Sequence, residues 1–141
     1  MFDEELAELS RKMFQVMYDS GGVGLAGPQV GVDRSILVYN LFGQPLQLAA
    51  TERVLVNPRV LRSGHLKWTS PEGCLSLPEA RGLVTRPVEV DVEAFQLDGT
   101  PIRKTFKGVE ARVVLHEIDH LNGTSSCVAL NHGIRSIEYD C

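Results

Sequence analysis

The sequence is short of several residue types, and each shortage excludes a class of protein. Aromatic residues make up 6% of it, with a single Trp. No apolar run approaches the ~20 residues that span a bilayer, so no membrane-spanning helix is expected. Cysteine is scarce: three residues, an odd number, do not build a disulfide framework and fit a reducing compartment. Basic residues are outnumbered, 14 Lys and Arg against 18 Asp and Glu, for a net charge of -4. With no clustered basic run, direct nucleic-acid binding is excluded as the main activity. The opening Met1-Phe2-Asp3-Glu4-Glu5 is acidic, unlike a secretory signal or transit peptide. No internal repeat recurs. What is present, 141 residues at 43% hydrophobic and 23% charged, suffices for one small core and one domain over 1–141.

Hydrophobic periodicity places the elements. Phe2, Leu6, Leu9, Met13, Val16 and Met17 recur at intervals of three or four and predict a first helix, with acidic residues at its start and Gly21 and Gly22 at its end. Its methionines read as core packing. Ile36 to Tyr39 and Val54 to Val56, the latter ending at Asn57-Pro58, read as strands. Val88, Val90, Val92 and Ala94 alternate with Glu89, Asp91 and Glu93, the pattern of a half-exposed strand. Leu97-Asp98-Gly99-Thr100 then turns toward Ile102 to Phe106. Leu41 to Thr51 reads as a connecting loop. Consecutive antiparallel pairing is the economical topology, so the fold class is α+β, not a doubly wound sheet.

The chemistry concentrates in His116-Glu117-Ile118-Asp119-His120-Leu121-Asn122-Gly123. On a helix, residues three and four apart are neighbours, so His116 meets His120, Glu117 lies beside His120, and Val113 continues the stripe one turn earlier. Neutral imidazoles suit a divalent metal, while a carboxylate adjacent to a ligand is placed to take a proton from water. Glu117 is therefore read as a base, not a ligand, and Asp119, off the ligand face, as hydrogen-bonded to a histidine or a backbone group. A catalytic site of this type needs a third protein ligand. Cys74 is the candidate, in Pro71-Glu72-Gly73-Cys74-Leu75-Ser76-Leu77-Pro78, where glycine and two prolines stiffen a short segment. Cys127 and Cys141 read as incidental thiols, and His65 and His132 lack metal spacing. The sequon Asn122-Gly123-Thr124 carries no weight without an export signal. Trp68 is expected to pack near the strand leading to Cys74. In Gly22-Val23-Gly24-Leu25-Ala26-Gly27-Pro28-Gln29-Val30-Gly31, a side chain on Gly24 would obstruct a peptide pairing with the backbone.

Taken in order, the Gly22 to Gly31 segment, Glu72-Gly73-Cys74-Leu75-Ser76 and His116-Glu117-Ile118-Asp119-His120-Leu121 resemble the motifs of peptide deformylases, over about Leu6 to Gly123. The resemblance implies an α+β domain with antiparallel strands around a central helix carrying the histidines. It implies removal of the N-formyl group from the initiator methionine of nascent chains, with release of formate. Cys74, His116 and His120 would bind one divalent ion, Fe(II) natively, with Zn, Ni or Co in purified protein. Glu117 would be the base, with Gln29 and the backbone N–H of Leu75 polarising the formyl oxygen. Val23, Gly24, Gly73, Arg81 and Val113 would contact substrate. Expected partners are the formylmethionyl peptide and a transient ribosome contact, with no nucleic acid or membrane and a monomeric state. Expected location is the cytoplasm, or an organelle after loss of a transit peptide.

The chain departs from the family pattern in places. Ala26-Gly27 stands where alanine or serine-alanine is usual before the proline, and Leu115 stands where glutamine commonly precedes the first histidine. The usual extended N-terminal segment is missing, no apolar strand is recognisable after Gly123, and Asn131 to Cys141 is too short for the long C-terminal helix of many bacterial members. A zinc peptidase of the zincin kind shares the histidine motif but leaves Cys74 and the Gly24 to Gln29 segment unexplained. A noncatalytic relative that keeps the metal for stability or peptide binding is the remaining alternative.

Overall fold

Asp3 starts the first helix, α1 (Glu4–Asp19), its carboxylate accepting the Leu6 N–H at 3.0 Å. The computed structural model describes residues 3–44, 51–74, 77–123, 128–130 and 136–138, and the side chains at 73, 74, 77–81, 128–130 and 136–138 lie outside that description. Phe2, Leu75, Cys127, His132, Cys141 and part of the Leu41 to Thr51 loop therefore lie outside the described residues.

The buried face of α1 is Leu6, Ser10, Met13, Phe14 and Met17. Val16, expected on this stripe, is 42% exposed. It falls roughly a quarter turn from the centre of the stripe at about 100° per residue, and Phe14 fills the other flank. Ser10 is buried because its hydroxyl donates to the Ala7 carbonyl at 2.7 Å. The helix ends at Ser20, followed by Gly21 at φ +72, a left-handed conformation that glycine adopts without strain.

Five antiparallel strands form the main sheet: β1 (Gly24–Ala26), β2 (Ile36–Tyr39), β3 (Arg53–Ser63), β6 (Glu89–Phe95) and β7 (Pro101–Lys107), in the order β1-β2-β3-β6-β7. A short 3-10 turn, Gly27–Val30, follows β1. Between β3 and β6 the chain leaves the sheet and forms a separate hairpin, β4 (Lys67–Cys74) with β5 (Leu77–Pro87). Strictly consecutive pairing is thus corrected: β3 skips its successors and pairs β6. β3 also runs through Asn57-Pro58 instead of ending there. A register shift between Val56 and Arg59, with Asn57 at φ 49, is the irregularity that lets a strand accommodate a proline lacking an N–H. After Gly123, β8 (Val128–Leu130) pairs β9 (Ser136–Glu138), so a strand does follow the histidine helix.

The sheet is packed on both faces. Ile36, Val38, Leu25 and Val56 meet α1, while Leu37, Tyr39, Leu55, Val90, Val92, Ala94 and Phe106 meet the second helix, α2 (Gly108–Leu121). Each such side chain removed from water contributes about 1.5–3 kcal/mol. β6 keeps its expected alternation, and its outward acids pair with Arg59, Arg62 and Lys107.

Candidate metal centre

Helix α2 lies between the sheet and the β4–β5 hairpin, and its sequence assigns a different stripe to each neighbour. Ala111, Val114, Leu115 and Ile118 pack on the sheet. That explains Leu115: its position faces core, where a leucine packs well. Arg112, His116 and His120, spaced by four, are buried on a second stripe. Val113 and Glu117 lie against Gly24 of β1. Glu117 therefore occupies the stripe next to the histidines.

The His116 and His120 rings meet edge to face with centroids 4.9 Å apart and their Nε2 atoms 3.2 Å apart. His116 Nδ1 lies 2.8 Å from Glu72 Oε1 on β4. Burial opposes ionisation of Glu72, but hydrogen bonds from His116 and Arg86 outweigh it and hold its carboxyl down to about 2. An ionised carboxylate only accepts, so Nδ1 carries a proton, and in the neutral imidazole that leaves the lone pair on Nε2, toward His120.

Glu72 belongs to a buried charge cluster. Arg86 donates to it twice, at 2.7 and 2.9 Å, and to Asp119 at 2.9 Å. Arg112 also donates to Glu72, to the Val84 carbonyl at 3.0 Å and to the Trp68 carbonyl at 2.8 Å, with its guanidinium 4.5 Å from the Trp68 ring centroid. Trp68 stands on the strand leading to Cys74, as expected. Arg86 and Arg112 were not singled out in the sequence, because charged residues read as surface. One signal was available for Arg112, which precedes His116 by one helical turn. Asp119, expected to bond a histidine or a backbone group, accepts instead from the Arg86 side chain, which the sequence did not point to.

Glu117 is 4% exposed, and its Oε2 has no hydrogen-bond partner among the described residues. Burial pushes its carboxyl up to about 7, against the pull of His116 and Arg86. A Cβ on Gly24 would lie 2.9 Å from Glu117 Oε1 and 3.1 Å from Val113 Cγ1. The glycine thus makes room for the carboxylate itself, where the sequence had suggested room for a peptide. Gly27 has a separate reason: a Cβ there would lie 2.7 Å from the Arg34 carbonyl oxygen. Gln29 Oε1 accepts the Ala26 N–H at 2.9 Å, which leaves the NH₂ as the donor end of the amide. Val23 is exposed, and its carbonyl accepts the Asn40 N–H at 2.8 Å.

Cys74 ends β4 opposite Leu77, just past a register shift after Gly73, and Gly73 pairs with Arg81. The short stiff segment expected around Cys74 thus falls on the paired strands β4 and β5. The side chains of Cys74 and Arg81 lie outside the described set, as does Leu75. Among the described residues no group of three His, Cys, Asp or Glu side chains is arranged to hold an ion. The two histidines nevertheless fit one. Ligands about 2.0–2.1 Å from a tetrahedral ion are separated by about 3.3 Å, close to the observed Nε2 spacing.

A family model described as polypeptide deformylase matches residues 1–132. The chain is 43% identical over 121 residues to the peptide deformylase of Synechococcus sp. (strain RCC307), covering 86% of this chain and 59% of that protein. It is 42% identical over 122 residues to chloroplastic peptide deformylase 1B of Solanum lycopersicum, covering 86% of this chain and 43% of that one. The chain therefore spans less than two thirds of these relatives. Among solved structures, peptide deformylase from Plasmodium falciparum superposes with a TM-score of 0.88 at 36% identity, over 94% of this chain and 76% of that one. The antiparallel α+β fold agrees with these likenesses, and the chain belongs to the polypeptide deformylase family, whose members are metal-dependent.

Proposed function

We propose that this chain hydrolyses the N-terminal formamide of formylmethionyl peptides, releasing formate and a free amine. The observation that carries the reading is Glu117: a buried carboxylate with an oxygen unpartnered among the described residues, beside two imidazole nitrogens 3.2 Å apart. In this reading residues 1–141 act as one catalytic domain, with Cys74, His116 and His120 holding the ion. Fe(II) is the native choice, and Zn, Ni or Co can replace it on purification, since a thiolate with two imidazoles accepts all four. A bound ion would supply Lewis acidity and would make water at the site easier to deprotonate.

The chain's own residues do the rest. Glu117 takes a proton from the attacking water, whose oxygen bonds to the formyl carbon. As the C–N bond breaks, Glu117 passes that proton to the departing nitrogen. Its environment suits both directions, because burial raises its proton affinity toward neutrality. Gln29, its amide oriented by the Ala26 N–H, and the backbone N–H of Leu75 stabilise the oxygen as charge develops. Val23, Gly24 and Val113 flank the methionine side chain, and Gly73 and Arg81 lie along the peptide backbone. Glu72 holds the His116 tautomer and ring orientation.

The protein is read as a monomer acting on nascent peptide, with a transient ribosome contact. Bacterial and chloroplastic relatives support a cytoplasmic or organellar setting. Among the described residues no helix is long and apolar enough to cross a membrane. The test is formate release from a formyl-Met tripeptide by anaerobically purified, Fe(II)-loaded protein, with Cys74→Ala alongside. Formate from the parent alone is expected. No formate from folded protein holding one ion per chain would overturn the reading in favour of the peptidase or noncatalytic alternative.

A further inference from the structure

The proposed chemistry uses Cys74 from the β4–β5 hairpin and two histidines from α2, so its geometry depends on how the hairpin seats on the helix. Apolar packing resists separation of two elements but not small sliding between them. Directional bonds resist both. Several such bonds cross this interface: Arg86 on β5 donates to Asp119 on α2, Glu72 on β4 meets His116, and Arg112 makes three more. Arg112 occupies the histidine stripe of α2, and its terminal nitrogens donate to the carbonyls of Trp68 on β4 and Val84 on β5, and to Glu72 on β4. Its guanidinium carbon lies over the Trp68 ring. A single side chain thus grips both strands of the hairpin. Glu72, which it holds, precedes Cys74 by two residues on the same strand, about 7 Å of extended chain. Glu72 also touches His116, so one carboxylate registers the hairpin on the helix and the imidazole on the hairpin.

Stability alone does not call for this arrangement. A buried charge pair is often replaced by apolar residues without loss of stability, whereas the fork geometry of a guanidinium specifies position. We propose that Arg112 is a positioning residue of the metal centre: it fixes the β4–β5 hairpin on α2 and thereby sets the placement of Cys74 relative to His116 and His120. The inference rests on the ligand set of the proposed function. It assigns Arg112 no contact with substrate or ion. A lysine cannot substitute, because an ammonium lacks the planar fork that reaches the Trp68 and Val84 carbonyls and Glu72 together.

The test uses cobalt(II) as a probe. Thiolate-to-cobalt charge transfer in the near ultraviolet reports whether Cys74 is in place, and competition with a chelator gives the affinity. Parent, Arg112→Lys and Cys74→Ala are compared, with circular dichroism to confirm folding. The expected result for Arg112→Lys is a folded protein whose charge-transfer band is weakened and whose cobalt affinity falls about 10–100-fold, the usual effect of disturbing the groups behind metal ligands. An unchanged band and affinity, with only a lower melting temperature, would overturn the inference. So would a band that survives in Cys74→Ala. If Arg112→Lys does not fold, Trp68→Leu, which removes the ring but no hydrogen-bond partner, carries the same comparison: a weakened band supports the positioning role and a parental band overturns it. Formate release by the parent tests the deformylase reading separately, and the cobalt comparison decides the inference whether or not formate appears.

Discussion

Replacing Glu72 by Gln in metal-free protein should remove about 3 kcal/mol of stability at pH 7, with a pH dependence that identifies the cause. The carboxyl is held at about 2 against an ordinary 4.5, and at about 1.4 kcal/mol per pKa unit that difference corresponds to about 3 kcal/mol. The side chain is only 7% exposed, so solvent screens the interaction little. An independent estimate agrees: removing one partner of a buried pair costs about 3–5 kcal/mol, because the charge left behind stays desolvated. Here Arg86 and Arg112 would face a neutral amide. Because the folded-state carboxyl titrates below the unfolded one, its contribution is complete above pH 4.5 and is lost as pH falls toward about 2. Urea denaturation of parent and Glu72→Gln, both with chelator present, should show a gap of about 3 kcal/mol at pH 7 that narrows steadily below pH 4.5. A gap under about 1 kcal/mol at pH 7, the size of an exposed salt bridge, would refute the reasoning, as would one that does not change down to pH 3.

Two further predictions concern the site's framing. Gly24→Ala brings a methyl within 2.9 Å of Glu117 Oε1, so the carboxylate must shift; kcat/KM for formate release should fall about 100-fold with little change in melting temperature, and undiminished activity would contradict the contact. Asn40 is fully buried, donates to Tyr18 Oη, the Gln44 carbonyl and Thr51 Oγ1, and accepts the Phe42 N–H. Asn40→Ala should lower urea-unfolding stability by about 2–3 kcal/mol by leaving those groups unmatched, and a loss under about 0.5 kcal/mol would show that they find other partners.

Local pattern made part of this molecule legible. The spacing of His116, Glu117 and His120 works through helix geometry within five residues, and the alternation through Val90, Val92 and Ala94 works through the pleat. Val16 was misplaced because a stripe read from spacing alone does not locate its own centre, which tertiary packing set at Met13 and Met17. The β4–β5 hairpin could not be separated from the main sheet by sequence, since the pairing of β3 with β6 joins segments on either side of it. Arg86 and Arg112 were invisible for a related reason. Their partner Glu72 lies 14 and 40 residues away, and only the fold shows that two guanidiniums converge on one buried carboxylate. The role of Gly24 was half legible: its need for space was clear, but the carboxylate filling that space came from Glu117, more than ninety residues downstream.

The central claim is that Glu117 moves the proton at a metal centre it does not ligate. Fe(II)-loaded Glu117→Gln should keep one ion per chain and release formate from a formyl-Met tripeptide about 10²–10⁴-fold more slowly than the parent. Formate release at the parental rate, or loss of the ion with the carboxylate, would contradict the account.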